Sequence, residues 1–463
     1  MTPVLLWTDL LLFVLLGGIA LFVWHARRHD HLRRPWRYVA GSRVGMATAV
    51  ILSAYVVIGV LDSLHFQPHG GKASDDVLSL FDWLVGDLRE HQEKTYSAPF
   101  SAWLYAKESI EQPDGTIVRA YPRLRWGGAA LPDPRRDRSA DIARRVGLGA
   151  GAALLLLAAL YLPLAWRIAR RDGVSLGAAL HGLFIRRRGR VAWPAFNLTL
   201  AVLVVSAGVL IALAAGYHVF GTDKVGEDVF YQALKSIRTG LLIGTLTTLV
   251  MLPAALLLGI LAGYYRGWID DLIQYLYTTL SSIPGVLLIA AAILMLQVYM
   301  AEHAAEFDSL ARRADLRLLF LCVILGITSW TTLCRLLRGE TLKLRELEYV
   351  QAARAFGVRG PAILSRHILP NVMHIVLISI VLDFSGLVLA EAVLAYVNIG
   401  VDPTMNSWGN MINSARLELA REPIVWWSLA AAFVFMFVLV LAANLFADVV
   451  RDAFDPRLGR GRG

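Results

Sequence analysis

The sequence predicts an all-α polytopic membrane protein with about nine transmembrane helices and one folded insert outside the membrane. Hydrophobic residues make up 57% of the 463 and charged residues only 17%, against about 25% charged in soluble domains. A water-soluble fold of this length has too little interior for so much apolar surface, which excludes a soluble enzyme, a disordered tail and a disulfide-stapled secreted module. The apolar residues also fall into runs of about 20, the length a helix rising 1.5 Å per residue needs to cross about 30 Å of hydrocarbon. Basic residues gather in alternate connecting loops, the asymmetry that orients helices in a bilayer.

The runs are 4–24, 39–61, 146–166, 195–217, 239–264, 272–300, 316–334, 372–397 and 424–447. The first has no Lys or Arg before it. The basic string HARRHDHLRRPWR follows where a signal peptide would carry a small-residue cleavage site, so this run is expected to remain as an anchor with its N-terminus outside. With that start and strict alternation, the inner loops hold about 24 of the 45 Lys and Arg, including Arg27, Arg28, Arg33, Arg34, Arg37, Arg186, Arg187 and Arg188. About five lie outside: Lys224, Arg312, Arg313, Arg416 and Arg421. The C-terminus is then cytoplasmic, and the net charge of +9 calls for no nucleic-acid partner.

Within the runs, Pro253 and Pro284 are expected to kink their helices. Gly259, Gly263 and Gly267, at small-xxx-small spacing, predict close helix packing. Cys322 and Cys334 are twelve residues apart, about 18 Å along a helix, too far to pair; both are expected as small buried residues.

Residues 62–145 separate the second and third runs on the outer side and have nearly balanced charge. Ser74 is expected to cap a helix with Asp75 and Asp76 in its first turn and Val77, Phe81, Leu84 and Leu88 along one face. A turn at Asp114-Gly115 leads into TIVRAYPRLRW, strand-like with Pro122 confining it to an edge. Trp83, Trp103 and Trp126 are expected to form a small core.

The loop between the seventh and eighth runs is long for an unstructured connection. Its sequence predicts a short amphipathic helix over ELEYVQAARAF, a helix end at Gly357, a turn at Gly360-Pro361, and a second helix, AILSRHIL, ending at Pro370. Small Ala352 and Ala353 suit this unit to a partner's groove.

Here QAARAFG followed by ILP resembles the EAA motif of ABC importer permeases, with Gln351 where the motif has Glu. The resemblance continues from about residue 195 to the end: GTDKVGEDVF (Glu227 standing for the usual Arg), LGILAGYYRGWID, LSSIPGVLL, AEAVLAYVNIGVDP, SWGNM and NLFADVVRDAFDPRL occur in the order of the peptide and nickel class. It is similar to the second, C-type permease subunit of dipeptide and oligopeptide importers. The resemblance implies an ABC importer type I permease core of six helices at 195–463, with residues 1–194 as an appended module of three helices and the outer insert. It also implies an ATPase-coupling loop carried by Gln351, Ala352, Ala353, Gly357, Ile368, Leu369 and Pro370. The partners it implies are a homologous B-type permease, two ABC ATPases that bind ATP and Mg, an extracytoplasmic solute-binding protein and the bilayer of a bacterial inner membrane. No cofactor and no nucleic acid are expected on this chain.

The nearest string to a P-loop, GGKAS at 70–74, lacks its leading Gly and the Ser or Thr after Lys, and neither HExxH nor CxxC occurs. Two acids stand out in the eighth run. Asp383 and Glu391 are eight residues apart, two turns along a helix and within about 80° of each other, so they could line one pathway or hydrogen-bond to neighbouring helices. Two further function classes fit parts of the sequence: a proton-coupled secondary transporter using these acids, and a membrane scaffold or sensor using the outer insert.

Overall fold

The computed structural model describes residues 2–28, 30–67, 77–111, 117–185, 191–303 and 309–454. The expected features at Ser74 to Asp76, Asp114-Gly115, Arg186 to Arg188 and the GGKAS string lie outside them. Nine helices among the described residues are long and apolar enough to cross a membrane.

The chain begins with β1 (Thr2–Val4), α1 (Trp7–Arg28), α2 (Asp30–Gly41) and α3 (Arg43–Asp62). The second crossing starts where Ser42 caps α3, its hydroxyl accepting from the Gly45 amide at 3.2 Å. The insert follows as β2 (His65–Gln67), β3 (Leu78–Ser79), α4 (Leu80–Leu84), α5 (Gly86–Glu90), β4 (Glu108–Glu111) and β5 (Ile117–Ala120). Strands β1, β2 and β3 form an antiparallel sheet and β4 pairs antiparallel with β5, so small sheets decorate the otherwise helical protein. The cap here is Ser79, in a capping box with Asp82, and Val77 precedes the helix. Leu88 falls on the separate α5 because the chain breaks at Val85.

The expected tryptophan core does not form. Trp83 is 61% exposed and Trp126 stacks at the surface on His91, while the insert buries Phe81, Tyr96, Ala102, Leu104 and Leu124. The bulky indoles are not needed inside because the insert borrows its interior from the helices beneath. Tyr96 packs in one apolar cluster with Val229, Trp408 and Trp427.

Next come α6 (Pro134–Asp172), α7 (Leu176–Phe184) and α8 (Trp193–Ala214). Helices α6 and α8 touch through glycine: a Cβ on Gly149 would stand 2.5 Å from the Gly208 carbonyl oxygen, and one on Gly208 2.8 Å from that of Gly149. Helix α8 packs mainly on α6, α7 and α3.

The remaining helices are α9 (Val229–Tyr265), α10 (Trp268–Ser282), α11 (Gly285–Glu302), α12 (Leu310–Arg345), α13 (Glu348–Ala355), α14 (Gly360–Ile363), α15 (Leu369–Tyr396), α16 (Trp408–Glu418) and α17 (Trp427–Phe454). Helices α9 and α12 form the most extensive pair. Gly259 meets the Cys334 carbonyl and Gly263 meets Thr341, at 2.8 and 2.6 Å from an added Cβ. Gly267 does not join them; it sits at φ +60° in the turn before α10. Both cysteines are free and buried in this packing.

The expected sixth run divides at Pro284, which ends α10 and opens α11, a break rather than a kink, since a proline at a helix start gives up no internal hydrogen bond. Pro253 stays inside the continuous α9. Helix α9 also begins ten residues before its apolar run, at the Asp228 cap, and so carries Lys235 and Arg238 toward the insert. These two cations join the side assigned only five. Each is neutralised there, Lys235 by Asp82 at 2.8 Å and Arg238 by Asp9 at 2.6 Å.

Candidate functional site

On the side opposite the insert, residues 346–370 form one compact unit. Glu348 begins α13 and Gly357 ends it at φ +76°, its amide donating to the Arg354 carbonyl at 3.0 Å while the Val358 amide donates to that of Ala353 at 3.1 Å. This is the paired bonding of a left-handed helix cap, and an added Cβ at Gly357 meets nothing within 4 Å, so the backbone alone demands glycine. Gln351 and Ala352 are exposed, Ala353 is half-buried, and Phe356 stands 86% exposed at the tip.

Beneath this face the unit is anchored. Val350, Ile363, Ile368 and Val372 are buried in a cluster with Tyr277, Cys334 and Leu337. Arg345 donates to the Tyr264 carbonyl at 2.7 Å, and Arg338 forks onto Asp270 at 2.6 and 2.7 Å, tying α10 to α12 on the same side.

The expected stop at Pro370 is absent. A π turn at Leu364–Ile368 joins α14 to α15, with the Leu369 amide donating to the Leu364 carbonyl five residues back. Pro370 lies in the first turn of α15, where the wider turn absorbs the bond its ring nitrogen cannot make. The π turn also sets the phase. It buries Ile368 and leaves His367 partly exposed beside Tyr349. Leu369 is half-buried and Pro370 exposed.

Asp383 and Glu391 make no hydrogen bond to each other. Glu391 is 3% exposed and turned toward the first turn of α16, where a Cβ on Gly409 would touch its Oε1 at 2.5 Å. A carboxylate at a helix N-terminus is favourably placed against the helix dipole. Asp383 is half-buried on α15.

On the insert side, sequence reasoning missed three buried polar links because each joins residues distant in the chain. His218 lies 2.7 Å from Asp228 and 3.5 Å from Glu93 of the insert, whose carboxylate also accepts from the amides of Arg125 and Trp126. Burial opposes charge on this imidazole, but the hydrogen bonds to Asp228 and Glu93 prevail and raise it to about 9. Asp82 receives Lys235 and the Tyr231 hydroxyl; burial raises its carboxyl, and the Lys235 charge and these hydrogen bonds outweigh burial and hold it below its usual range. Asp9 of α1, fully buried, accepts from Arg238 at 2.6 Å and faces His65 at 2.8 Å, while Asp315 of α12 accepts from the Trp7 amide at 2.8 Å and from the Thr8 hydroxyl.

A family model for the inner membrane component of binding-protein-dependent transport systems matches residues 255–460. The chain is 33% identical over 243 residues to the glutathione transport system permease protein GsiD of Pectobacterium atrosepticum, covering 52% of this chain and 73% of that one. It is 28% identical over 243 residues to the dipeptide transport system permease protein DppC of Bacillus subtilis, covering 52% and 70%. To the oligopeptide transport system permease protein OppC of Mycobacterium bovis it is 30% identical over 239 residues, covering 52% and 76%. Nine helices among the described residues long and apolar enough to cross a membrane, a glycine-packed helical core and these matches together make this chain a multi-pass inner-membrane permease of the binding-protein-dependent ABC importer family.

Proposed function

We propose that this chain is the C-type permease subunit of an ATP-driven importer of peptides or similar small solutes, in which the unit at 346–370 receives the motion of a partner ATPase. The observation that carries the coupling role is the division of that unit into an exposed face, Gln351, Ala352 and Phe356, and buried anchors, Val350, Ile363 and Ile368. A surface so anchored transmits a push into α12 and α15 rather than absorbing it. ATP binding would close the ATPase pair, the unit would follow, and the helices would rearrange around a central path by alternating access. Gly357 supplies the cap that aims Phe356 outward, and Ala352 and Ala353 keep the face low. Asp383 and Glu391 belong to this reading as pathway-side acids of α15, Glu391 acting through α16.

The partners are a homologous B-type permease, two ATPases holding ATP and Mg, and an extracytoplasmic binding protein; the chain itself binds no cofactor and no nucleic acid. Its N-terminus lies outside and its C-terminus in the cytoplasm, with residues 1–194 appended to a permease core at 195–463. The test is copurification and uptake with Phe356→Ala, which removes an exposed aromatic worth about 2 kcal/mol or more if it anchors an interface. Gly357→Ala adds a backbone strain of about 1–2 kcal/mol at its positive φ. Both variants are expected to insert normally, hold the ATPase weakly and lose uptake. Full transport by both would overturn the coupling role.

A further inference from the structure

A cavity of about 610 Å³ opens on the insert side between the loop before α9's Asp228 cap, the loop after α15, and α16. Tyr96, Lys224, Arg317, Arg416, Glu418 and Arg421 line it, so four cations face one acid. Such a size is that of a small-molecule site rather than a protein-docking surface. Arg317 forms part of its base, 11% exposed, with Nη1 3.5 Å from Asp402 and Nη2 donating to the Gly400 carbonyl at 3.3 Å; its Nε has no hydrogen-bond partner among the described residues. Glu418 is 3% exposed and accepts from the Tyr96 hydroxyl at 3.3 Å through Oε1. Burial pushes the Glu418 carboxyl up, which weakens it as an internal counter-ion.

The exposed cations are held in a way that spares their charge. The Arg421 guanidinium lies 4.8 Å from the Tyr96 ring centre and that of Arg416 5.3 Å from the Tyr396 ring centre. A ring face holds a guanidinium while leaving in-plane donors for a ligand, and Arg421 also hydrogen-bonds to the Tyr96 hydroxyl. Neither arginine, nor Lys224, forms an ion pair with a carboxylate among the described residues. Tyr96 comes from the insert, so the appended part of the chain helps build a cavity whose other walls belong to the permease core.

We infer that this cavity receives the carboxylate end of a small solute on the insert side of the membrane, with Arg416 and Arg421 as the forked donors and Tyr96 holding Arg421 in position. The inference rests on the transport reading for its purpose, though not for its chemistry. The direct test is saturation-transfer NMR on the assembled permease and ATPase complex in nanodiscs. The binding protein is left out so that its own specificity does not intervene. The probes are trialanine, its C-terminal amide, and inorganic phosphate as competitor.

Trialanine should bind, and the amide should bind about tenfold more weakly, as expected for losing a charge-assisted hydrogen-bonded pair. The double variant Arg416→Gln with Arg421→Gln should lose binding of the free acid to about the same extent while keeping its ATPase partner and basal hydrolysis. Arg421→Lys, which keeps the charge and loses the fork, should fall between. Equal binding of acid and amide, unchanged binding by the double variant, or phosphate binding in place of trialanine would each overturn the assignment. Failure of any ATPase to copurify would instead strike the transport reading, and the same NMR comparison on the full chain alone in nanodiscs would still decide the cavity.

Discussion

His218 illustrates how one side chain can fasten the insert to the helices beneath it. It lies between Asp228, which caps α9, and Glu93, whose carboxylate also gathers amides of the insert at Arg125 and Trp126. Its pKa is raised to about 9 in the folded protein, from about 6.5 when unfolded. A raised pKa contributes stability that is fully present below the unfolded value and lost as pH rises through the folded one. The attachment of the insert should therefore hold at neutral pH and loosen between about pH 7 and 9, with an upper bound of about 3 kcal/mol from the size of the shift. The protection factors of the Thr222 and Val229 amides, taken against the intrinsic exchange rate at each pH, should fall through that window in the parent and show no such step in His218→Gln. A flat parent profile would remove the imidazole from the attachment.

At the scale of elements, the unexpected feature is how α1 is held. A helix exposed along most of its length is pinned at its first turn, where Asp9 meets Arg238 of α9 and the Trp7 and Thr8 groups meet Asp315 of α12. Removing one member of a buried ion pair strands the other charge and costs about 3–5 kcal/mol, whereas replacing both by apolar residues is often close to neutral. Arg238→Met should accordingly lower the thermal unfolding midpoint of the purified protein and free α1 to proteolysis. Asp9→Leu combined with Arg238→Met should recover much of the loss. A double variant as unstable as the single one would mean that the pair acts through Thr8, Ser63 and Asp315 as a larger network.

For the whole molecule, the decisive quantity is the side of the membrane each loop occupies. The loop charges predict the insert and 398–423 outside and 340–370 inside. Cys322 and Cys334 are buried, so single cysteines can be introduced against a quiet background. An impermeant thiol reagent applied to cells without an outer barrier should modify exposed positions such as Trp83→Cys and Glu422→Cys. It should spare Phe356→Cys until the membrane is opened. Labelling in the reverse order would invert the topology.

What the sequence determined by itself was everything that depends on local periodicity and solvent. The apolar runs needed only the bilayer's thickness to become helices, the small residues at Gly259 and Gly263 needed only their spacing to predict close packing, and Gly357 needed only its place after an amphipathic segment to be a helix end. The tertiary structure decided what depends on partners far along the chain. It extended α9 back to Val229, because Lys235 and Arg238 are tolerated in a helix once Asp82 and Asp9 neutralise them. It left Trp83 and Trp126 at the surface, because the helices below supplied the insert's interior. The same dependence carried the chain through Pro370 by a π turn that periodicity does not encode, and assembled the cationic cavity from Tyr96, Arg317 and Arg421, whose positions in the chain give no hint that they share a wall. Burial and charge pairing are sums over neighbours in space, and only folding makes those neighbours.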